Sequence, residues 1–553
     1  MSFEDLLQEV GGFGKYQVLV VLMLCLPRLV IPMHFLLHNF ISASPPHHCA
    51  IPDFAGISNI SQEEIFRTVL PRDPDGGLSP CKVFSSPWSH SLVNSSWELH
   101  DASSTQSCWQ GWVYDATQYV STTATEWDLV CEKKALNQAI ATFFFIGVTF
   151  GAVLFGYLSD RFGRRKTLVL SLCITLFFGT MSAFSMSYPM FVVMRSLCGM
   201  GLTGLSIISM ILAVEWTDIK HRTFCGTVSS LSWSVGYMLL ALVAYLIRSW
   251  RWLVLAVTSP CLLGIAVSIS LAFARWLPES ARWLLMRKEV KAAQSSLCRC
   301  ARVNGRGDIC SRITPEVSAK HKSRTCSYWH LVKTPELRKT TLCSSMVWFG
   351  VAFTYYGISL NITGFSLDPY LTQLIFGAIE VPAKLSVYFV LDRIGRRRCQ
   401  SWSLIATASL IVLKTAIPAA VEEDHGHLRL AVALLGKGFS EISFTTAFLY
   451  TAELYPTVLR QSGIGCCSFV ARIASSVAPL IMLLEDTWRY LPPMIFSVMA
   501  GLAGLAAFLL TETTNVHLPD TIQDVENGRS SPGAEKQITT APGGPLWGAH
   551  SIT

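Results

Sequence analysis

Residues 156–166 read GYLSDRFGRRK, and residues 391–398 read LDRIGRRR, so both segments contain the pattern DRxGRR. Two further motif pairs follow in the same order and at nearly the same spacing: Glu215-Trp216 with His221-Arg222 against Glu453-Leu454 with Leu459-Arg460, and Pro278-Glu279-Ser280 against Thr511-Glu512-Thr513. Three motifs repeated in one order indicate two similar halves, an arrangement common in membrane transporters.

The composition excludes most soluble classes of protein. The 553 residues are 51% hydrophobic and only 15% charged, and their mean hydropathy is +0.41. Soluble proteins carry about 25% charged residues. The net charge of +7 lies in short clusters between apolar stretches, which argues against a nucleic-acid-binding domain. The composition therefore predicts a polytopic membrane protein rather than a cytosolic enzyme, a disordered chain or a disulfide miniprotein.

A helix needs about 20 mostly apolar residues to cross a bilayer. We predict an all-α membrane protein with twelve such spans, at 16–39, 136–158, 167–187, 189–213, 223–247, 251–275, 338–360, 369–391, 401–420, 428–450, 461–484 and 490–511. The expected domains are a first six-helix half at 1–275 with an outer loop at 40–135, a linker at 276–336, a second six-helix half at 337–511 and a mostly disordered tail at 512–553. The first span has no small-residue cleavage site, so we expect a mature helix and not a signal peptide.

The loops between spans predict the orientation in the membrane. Basic residues cluster at 161–166 and 393–398, and the positive-inside rule places these clusters and both termini in the cytoplasm. Segment 40–135 is then extracellular, where Asn59 and Asn94 stand in glycosylation sequons. The same segment contains four cysteines that predict two disulfides in any of three pairings, with free thiols as the alternative: Cys49, Cys81, Cys108 and Cys131. We expect His47-His48 to be part of a loop and not a metal site.

The repeated segments resemble those of the major facilitator superfamily, and together with residues 453–460 and 278–283 they resemble the solute carrier 22 group of organic ion transporters. Thr511 departs from the proline that usually precedes this glutamate. The resemblance implies a carrier for small organic anions that works by alternating access, as an exchanger or a facilitated carrier, in the plasma membrane of liver or kidney epithelium, on the basolateral side. The implied substrates are mono- and dicarboxylates, orotate, cyclic nucleotides, prostaglandins and salicylate-like drugs.

Charged residues inside predicted spans are costly and usually face a cavity or a partner. Arg472 is the only charge in its span and cannot be neutralised, so we expect it to bind a substrate carboxylate or phosphate. The alternative is a structural pair with an acidic residue on another helix. The resemblance favours substrate binding, because anion carriers of the group are basic at this position.

Lys384 is a second candidate cation, and the resemblance again implies contact with substrate. Glu380 precedes it by four residues, so the two side chains can instead neutralise each other. Lys437 and Glu441 have the same spacing, and we expect Glu441 to tune the polarity of the site. Counting Arg28, Lys384, Lys437 and Arg472 against Glu380 and Glu441 gives a central excess of two positive charges, which favours anions unless Arg28 snorkels to the interface.

Aromatic residues are the candidates for contacts with flat substrates. Phe353, Tyr355 and Tyr356 predict an aromatic patch, joined by Trp233 and Phe448. Helix packing is the alternative for each of them. Asn39, at the outer end of the first span, is expected to donate hydrogen bonds to substrate or to cap its helix.

The repeated charged motifs are the candidate gate. We expect ion pairs among them to hold the cytoplasmic side closed, with topology alone as the alternative, and assign this role to Asp160, Arg161, Arg164, Asp392, Arg393, Arg396, Glu215, Glu453 and Arg460. The sequence contains no phosphate loop, zinc-protease motif or nucleophile elbow, so we expect no enzyme activity and no cofactor. The partners expected are a small organic anion, a counter-anion and membrane lipid. A cation or zwitterion carrier of the same fold and a membrane receptor or scaffold are the competing functions.

Overall fold

The computed structural model describes residues 3–51, 66, 69–73, 77–85, 105–218, 221–269, 278–311, 329–362, 367–417, 422–456, 459–514 and 522–527. Twelve helical segments form a bundle. The first half contains α1 (Lys15–Arg28, Val30–Leu36 and His38–Ile41), α2 (Lys134–Phe162), α3 (Arg164–Ala183), α4 (Tyr188–Glu215), α5 (Arg222–Leu246) and α6 (Trp250–Thr258 and Pro260–Ile269). The second half contains α7 (Pro335–Ser359), α8 (Pro369–Ile394), α9 (Arg396–Ala416), α10 (Glu422–Leu454), α11 (Arg460–Ile481) and α12 (Leu491–Phe508).

Eight of these helices are apolar and long enough to cross a membrane by themselves, namely α1, α2, α3, α4, α5, α8, α11 and α12. The apolar part of α6, Trp250–Ala266, is shorter. The helices α7, α9 and α10 carry more polar side chains, many of which are buried in the protein rather than exposed on its outer surface. The helical architecture with twelve spans agrees with the prediction.

The turns between α2 and α3 and between α8 and α9 are shorter than the gaps at 159–166 and 392–400 between the predicted spans. Helix α2 runs to Phe162 and α3 starts at Arg164, so a single glycine, Gly163, separates them. Gly395 separates α8 from α9 in the same way. Both glycines have positive φ, +100° and +94°, a backbone conformation that disfavours other residues. We call the end of the bundle with these two glycines the turn end.

The two halves meet along two seams. Helix α5 packs against α8, and α2 packs against α11. Gly377 of α8 lies so close to α5 that an added Cβ would stand 2.8 Å from the side chain of Met238. This close approach places the polar residues of α5 and α8 next to each other at the middle of the bundle.

A small disulfide-bonded domain follows α1 at the opposite end of the bundle, which we call the domain end. His47–Cys49 pairs with Trp112–Tyr114, and Lys82–Phe84 pairs with Thr105–Ser107, so His47 and His48 form a strand and the loop prediction is wrong for them. Of the three possible pairings, the structure contains Cys49–Cys108 and Cys81–Cys131. The glycosylation candidates Asn59 and Asn94 lie outside the described residues.

Short helices cover the turn end. Ala281–Met286 and Val290–Val303 lie in the linker, and the N-terminal helix Phe3–Glu9 packs against them through Asn304. The Asn304 amide accepts a hydrogen bond from the Tyr16 backbone N–H at 3.0 Å and donates one to the Val10 carbonyl at 3.2 Å. In the tail, residues 522–527 form a helix, whereas residues 528–553 lie outside the described part of the chain.

Candidate functional site

Four buried charged side chains form a neutral cluster at the centre of the bundle, where α5, α8 and α10 meet. We call Glu380, Lys384, Lys437 and Glu441 the central quartet. Lys384 Nζ lies 3.3 Å from Glu380 and 3.4 Å from Glu441, and Lys437 Nζ lies 3.0 Å from Glu380. All four side chains are at least 96% buried. Of the two alternatives for Lys384, the structure contains the one in which carboxylates neutralise it.

The pairing within the central quartet crosses between helices. Lys437 pairs with Glu380 of α8, and not with Glu441 four residues along its own helix. Two cations and two carboxylates cancel, so the predicted excess of two positive charges comes from Arg28 and Arg472 alone. The substrate role expected for Lys384 and Glu441 would require an anion to compete with these ion pairs.

Polar groups of α5 and α7 surround the quartet and join the two halves. Lys384 Nζ donates to the Ser234 hydroxyl at 2.6 Å and to the Ser230 carbonyl at 3.2 Å. The Tyr355 hydroxyl donates to Glu380 at 2.6 Å and accepts from Trp233 Nε1 at 3.0 Å. Trp233 and Tyr355, predicted as aromatic substrate contacts, are therefore part of this polar network.

Arg472 lies at mid-length of α11 without an acidic partner among the described side chains. Its Nη1 donates to the Ser468 carbonyl one turn earlier at 3.2 Å, and its Nε is buried without a hydrogen bond. The nearest aromatic hydroxyl is that of Tyr356 on α7, which lies within electrostatic range of the guanidinium. A half-buried guanidinium in these surroundings retains its capacity to bind an anion.

Tyr356 packs at the interface between the halves. Its ring contacts Phe145 of α2 at a centroid distance of 4.8 Å and Phe35 of α1 at 6.3 Å. Phe35 also contacts Trp233 at 5.6 Å. These ring contacts lead from Trp233, which binds the quartet through Tyr355, to Tyr356.

Phe353 does not belong to this group of rings. It is buried against Phe349 and Phe496, at centroid distances of 5.5 and 4.6 Å, within the second half. Phe448 contacts Trp348 at 4.5 Å and reaches the quartet only through Phe444, whose ring lies 5.2 Å from Tyr355. For Phe353 the structure thus contains the helix-packing alternative.

Asn39 neither caps its helix nor points to an open site. Its side-chain amide donates to the Ser359 carbonyl and to Gln373 Oε1, both at 2.9 Å and both in the second half. Next to it, Phe40 stacks on Tyr370 at a centroid distance of 5.3 Å. These contacts join the two halves at the domain end and close that side of the bundle.

The charged motifs at the turn end form two matching clusters, one in each half. Arg164 pairs with Asp160 at 3.1 Å and with Glu215 at 3.3 Å. Arg396 pairs with Asp392 at 2.9 Å and with Glu453 at 3.2 Å. Each cluster joins helices of its own half, so in this conformation the predicted gate pairs do not link the halves.

The other three gate candidates have different surroundings. Arg161 lies over the rings of Tyr157 and Phe162. Arg393 lines a cavity of about 330 Å³ at the turn end. Arg460 keeps a buried Nε and one buried terminal nitrogen without hydrogen-bond partners.

Glu279 and Glu512 are helix-capping residues to which the sequence assigned no role. Glu279 accepts from the backbone N–H of Arg164 at 2.8 Å, and Glu512 accepts from that of Arg396 at 2.9 Å, so each carboxylate caps the first turn of α3 or α9. Burial raises the pKa of Glu279. Around Glu512, hydrogen bonds from Thr514 and from backbone N–H groups outweigh burial and lower its pKa. The faint similarity of the two motifs in sequence was the signal for this shared role.

Arg195 was missed as well. It is fully buried within the first half, donates to the His34 ring at 3.0 Å and the His34 carbonyl at 3.1 Å, and lies over the Phe144 ring. No acidic partner of Arg195 occurs in the described part of the chain. It adds a third positive charge inside the membrane helices, beside the half-buried Arg28 and Arg472.

Comparison with known proteins identifies the family of this chain. Residues 102–522 match the family model described as "Sugar (and other) transporter". The solute carrier family 22 member 7 of Homo sapiens is 48% identical over 549 residues, which cover 96% of this chain and 97% of the relative. The chain belongs to solute carrier family 22. Member 6 of this family from Danio rerio is 40% identical and covers 95% of this chain and 94% of the relative.

The solved structures show the same fold at lower identity. The xylose transporter XylE from E. coli, in an inward open conformation, matches with a TM-score of 0.61, 17% identity and coverage of 93% of this chain and 99% of that chain. Within solute carrier family 22, the segments at 10–14, 26–28 and 518–525 resemble those of organic anion transporter 2, the member 7 carrier. The protein is thus a solute carrier and not an enzyme, as predicted.

Proposed function

We propose that this carrier moves small organic anions through the plasma membrane by alternating access. The observation that supports this proposal most strongly is the half-buried Arg472, whose guanidinium has no acidic partner among the residues described. A structural ion pair would supply a carboxylate from the protein, whereas a binding site for an anion leaves that position to the substrate.

The central quartet supports the same charge preference. Its two carboxylates already hold two lysines, so neither is free to bind a substrate cation. Arg28, Arg195 and Arg472, which have no acidic partner among the described residues, add positive charge within the membrane helices. A cation in this region would meet repulsion and an anion would meet attraction.

Aromatic rings supply the apolar part of the proposed site. Tyr356 and the phenylalanines of α1 and α2 present ring faces between the halves, near Arg472. A flat carboxylate such as salicylate would place its ring on these residues and its charge on the guanidinium. The substrate classes proposed are mono- and dicarboxylates, orotate, cyclic nucleotides, prostaglandins and salicylate-like drugs.

The contacts between the two halves support a proposed conformational cycle. Asn39, Gln373 and Tyr370 join the halves at the domain end, which supports a proposed state whose substrate path opens towards the turn end. The proposed orientation has the turn end in the cytoplasm, which makes the state inward-facing. When the halves rock, the domain-end contacts break and the charged motifs of Asp160 and Arg396 meet the opposite half.

Uptake by cells that express the chain tests this function. We expect saturable uptake of radiolabelled salicylate, accelerated by anions loaded on the opposite side if the carrier is an exchanger, and little uptake of tetraethylammonium. Saturable uptake of tetraethylammonium without uptake of any anion would favour a cation carrier. A protein at the cell surface that transports neither class would favour a receptor or scaffold.

A further inference from the structure

Arg28 is a mid-depth cation that the proposed anion site does not yet include. It lies at the end of the first segment of α1, on the buried stripe that contains Val21 and Leu24. The most exposed apolar side chains of this segment, Leu22 and Leu26, lie on the opposite face. Arg28 itself is only half-buried although it lies on the inner face. Its exposed part therefore faces the interior of the bundle.

The contacts of Arg28 hold its position but leave its charge uncompensated. Its Nη1 donates to the Ser206 carbonyl at 3.1 Å and to the Ser209 hydroxyl at 3.0 Å, both on α4. Both acceptors are neutral, and the buried Nε has no hydrogen-bond partner. Within the described ranges, no carboxylate forms a salt bridge with Arg28. A guanidinium in such surroundings offers free donors to an anion.

The break in α1 fixes the backbone next to Arg28. The α1 segments end and restart around Leu29, and Gly236 of α5 approaches this break so closely that an added Cβ would stand 2.3 Å from the Leu29 carbonyl oxygen. Pro27 precedes the break and removes one backbone donor. The guanidinium is therefore carried by a backbone that is anchored to both α4 and α5.

We propose that Arg28 is a second anion-binding residue, which holds the distal carboxylate of dicarboxylate substrates while Arg472 holds the first. This inference rests on the proposed function. Arg28 belongs to the first half and Arg472 to the second, and each lies near the middle of its own membrane helix. A dianion bound to both contacts both halves, whereas a monoanion needs only Arg472. Arg28 is then a specificity residue that separates dicarboxylates from monocarboxylates.

Glutarate and its monomethyl ester test this role, because they share one carbon skeleton and differ by one charge. The proposal predicts that Arg28→Gln lowers kcat/KM for glutarate at least about tenfold, since a charge-assisted hydrogen bond is lost, and changes kcat/KM for the ester less than about threefold. Arg28→Lys keeps the charge without the planar fork and should give an intermediate loss for glutarate only. Ser209→Ala is the matched control, because it removes a neutral partner of Arg28 and leaves the charge in place.

The results separate this proposal from the proposed function. Equal losses for glutarate and the ester in Arg28→Gln, at normal surface level, overturn the specificity role and leave anion transport standing. Wild-type protein that takes up the ester but not glutarate overturns it too. If Arg28→Gln fails to reach the surface, the ratio of the two kcat/KM values in Arg28→Lys decides, and an unchanged ratio contradicts the proposal. Wild-type protein at the surface that transports no anion refutes the proposed function itself.

Discussion

Removing Glu380 is the perturbation with the largest expected effect on stability. Its carboxylate is fully buried and contacts Lys437, Lys384, Tyr355 and Ser234 at 2.6 to 3.3 Å. In Glu380→Gln, Lys384 keeps Glu441 as a counter-charge. Lys437 keeps the Ser359 hydroxyl and the ring faces of Tyr355 and Tyr237, but no carboxylate within salt-bridge distance among the described residues. One buried charge is then uncompensated, which costs about 3–5 kcal/mol.

The double variant Glu380→Gln with Lys437→Met removes the uncompensated charge. The remaining pair, Lys384 with Glu441, is neutral, so we expect the double variant to be more stable than Glu380→Gln by about 2–3 kcal/mol. The exposed pair Lys134 with Asp486 is the control, since neutralising such a pair costs about 1 kcal/mol or less.

Thermal unfolding of the purified protein in detergent, followed by tryptophan fluorescence at one fixed scan rate, measures these differences. For Glu380→Gln we expect a fall in Tm of about 10 °C, compared with about 2 °C for the exposed control. The reasoning is refuted if Glu380→Gln is no less stable than the control. It is refuted as well if the double variant loses the sum of the two single losses, because the two charges would then not be coupled.

Three further changes test other parts of the structure. Asn39→Ala removes two hydrogen bonds between the halves at the domain end, where Ile362 is buried. In an Ile362→Cys background, this change should increase labelling by an impermeant thiol reagent about fivefold. Unchanged labelling argues against a role of Asn39 in closing the domain end. Glu512→Gln should destabilise the protein by about 1–3 kcal/mol at pH 7. Because the folded-state pKa of Glu512 is lowered, the greater stability of the wild type should persist at pH 5 and vanish only as the pH falls through that lowered value. A stability difference that disappears above pH 5 contradicts the assignment. Tyr356→Leu should lower the affinity for aromatic anions more than for aliphatic ones, while Phe353→Leu should lower stability without changing this selectivity; equal selectivity changes in both variants contradict the separation of these rings.

The fold was predictable because apolar length and motif repetition are local properties of the sequence. Errors occurred where the decisive contact is distant along the chain. Arg164 and Arg165 resemble a solvated loop in sequence, yet they begin α3 because Glu279, far along the chain, accepts hydrogen bonds from their backbone N–H groups. The strand at His47–Cys49 likewise depends on pairing with Trp112–Tyr114 across a long segment.

The candidate site was predictable in composition but not in its pairings. The spacing of Glu380 and Lys384 correctly predicts their contact, since residues four apart face the same side of a helix. The same spacing does not predict the partner of Lys437. Helix α10 packs against α8, so Lys437 Nζ lies 3.0 Å from Glu380 instead of pairing with Glu441. Phe353 stands close to Tyr355 in sequence, but two residues along a helix place side chains on nearly opposite faces.

Anion uptake by Arg472→Asp tests the central claim of this account most directly. Surface protein is quantified by biotinylation, and initial rates of salicylate uptake are divided by it, with Arg472→Lys as the variant that keeps the charge. The loss of a buried, charge-assisted contact predicts at least a 30-fold fall in kcat/KM for Arg472→Asp, from a cost of about 2–5 kcal/mol, and a smaller fall for Arg472→Lys. Normal kcat/KM for salicylate in Arg472→Asp at normal surface level would contradict the assignment of Arg472 as the counter-charge of the transported anion.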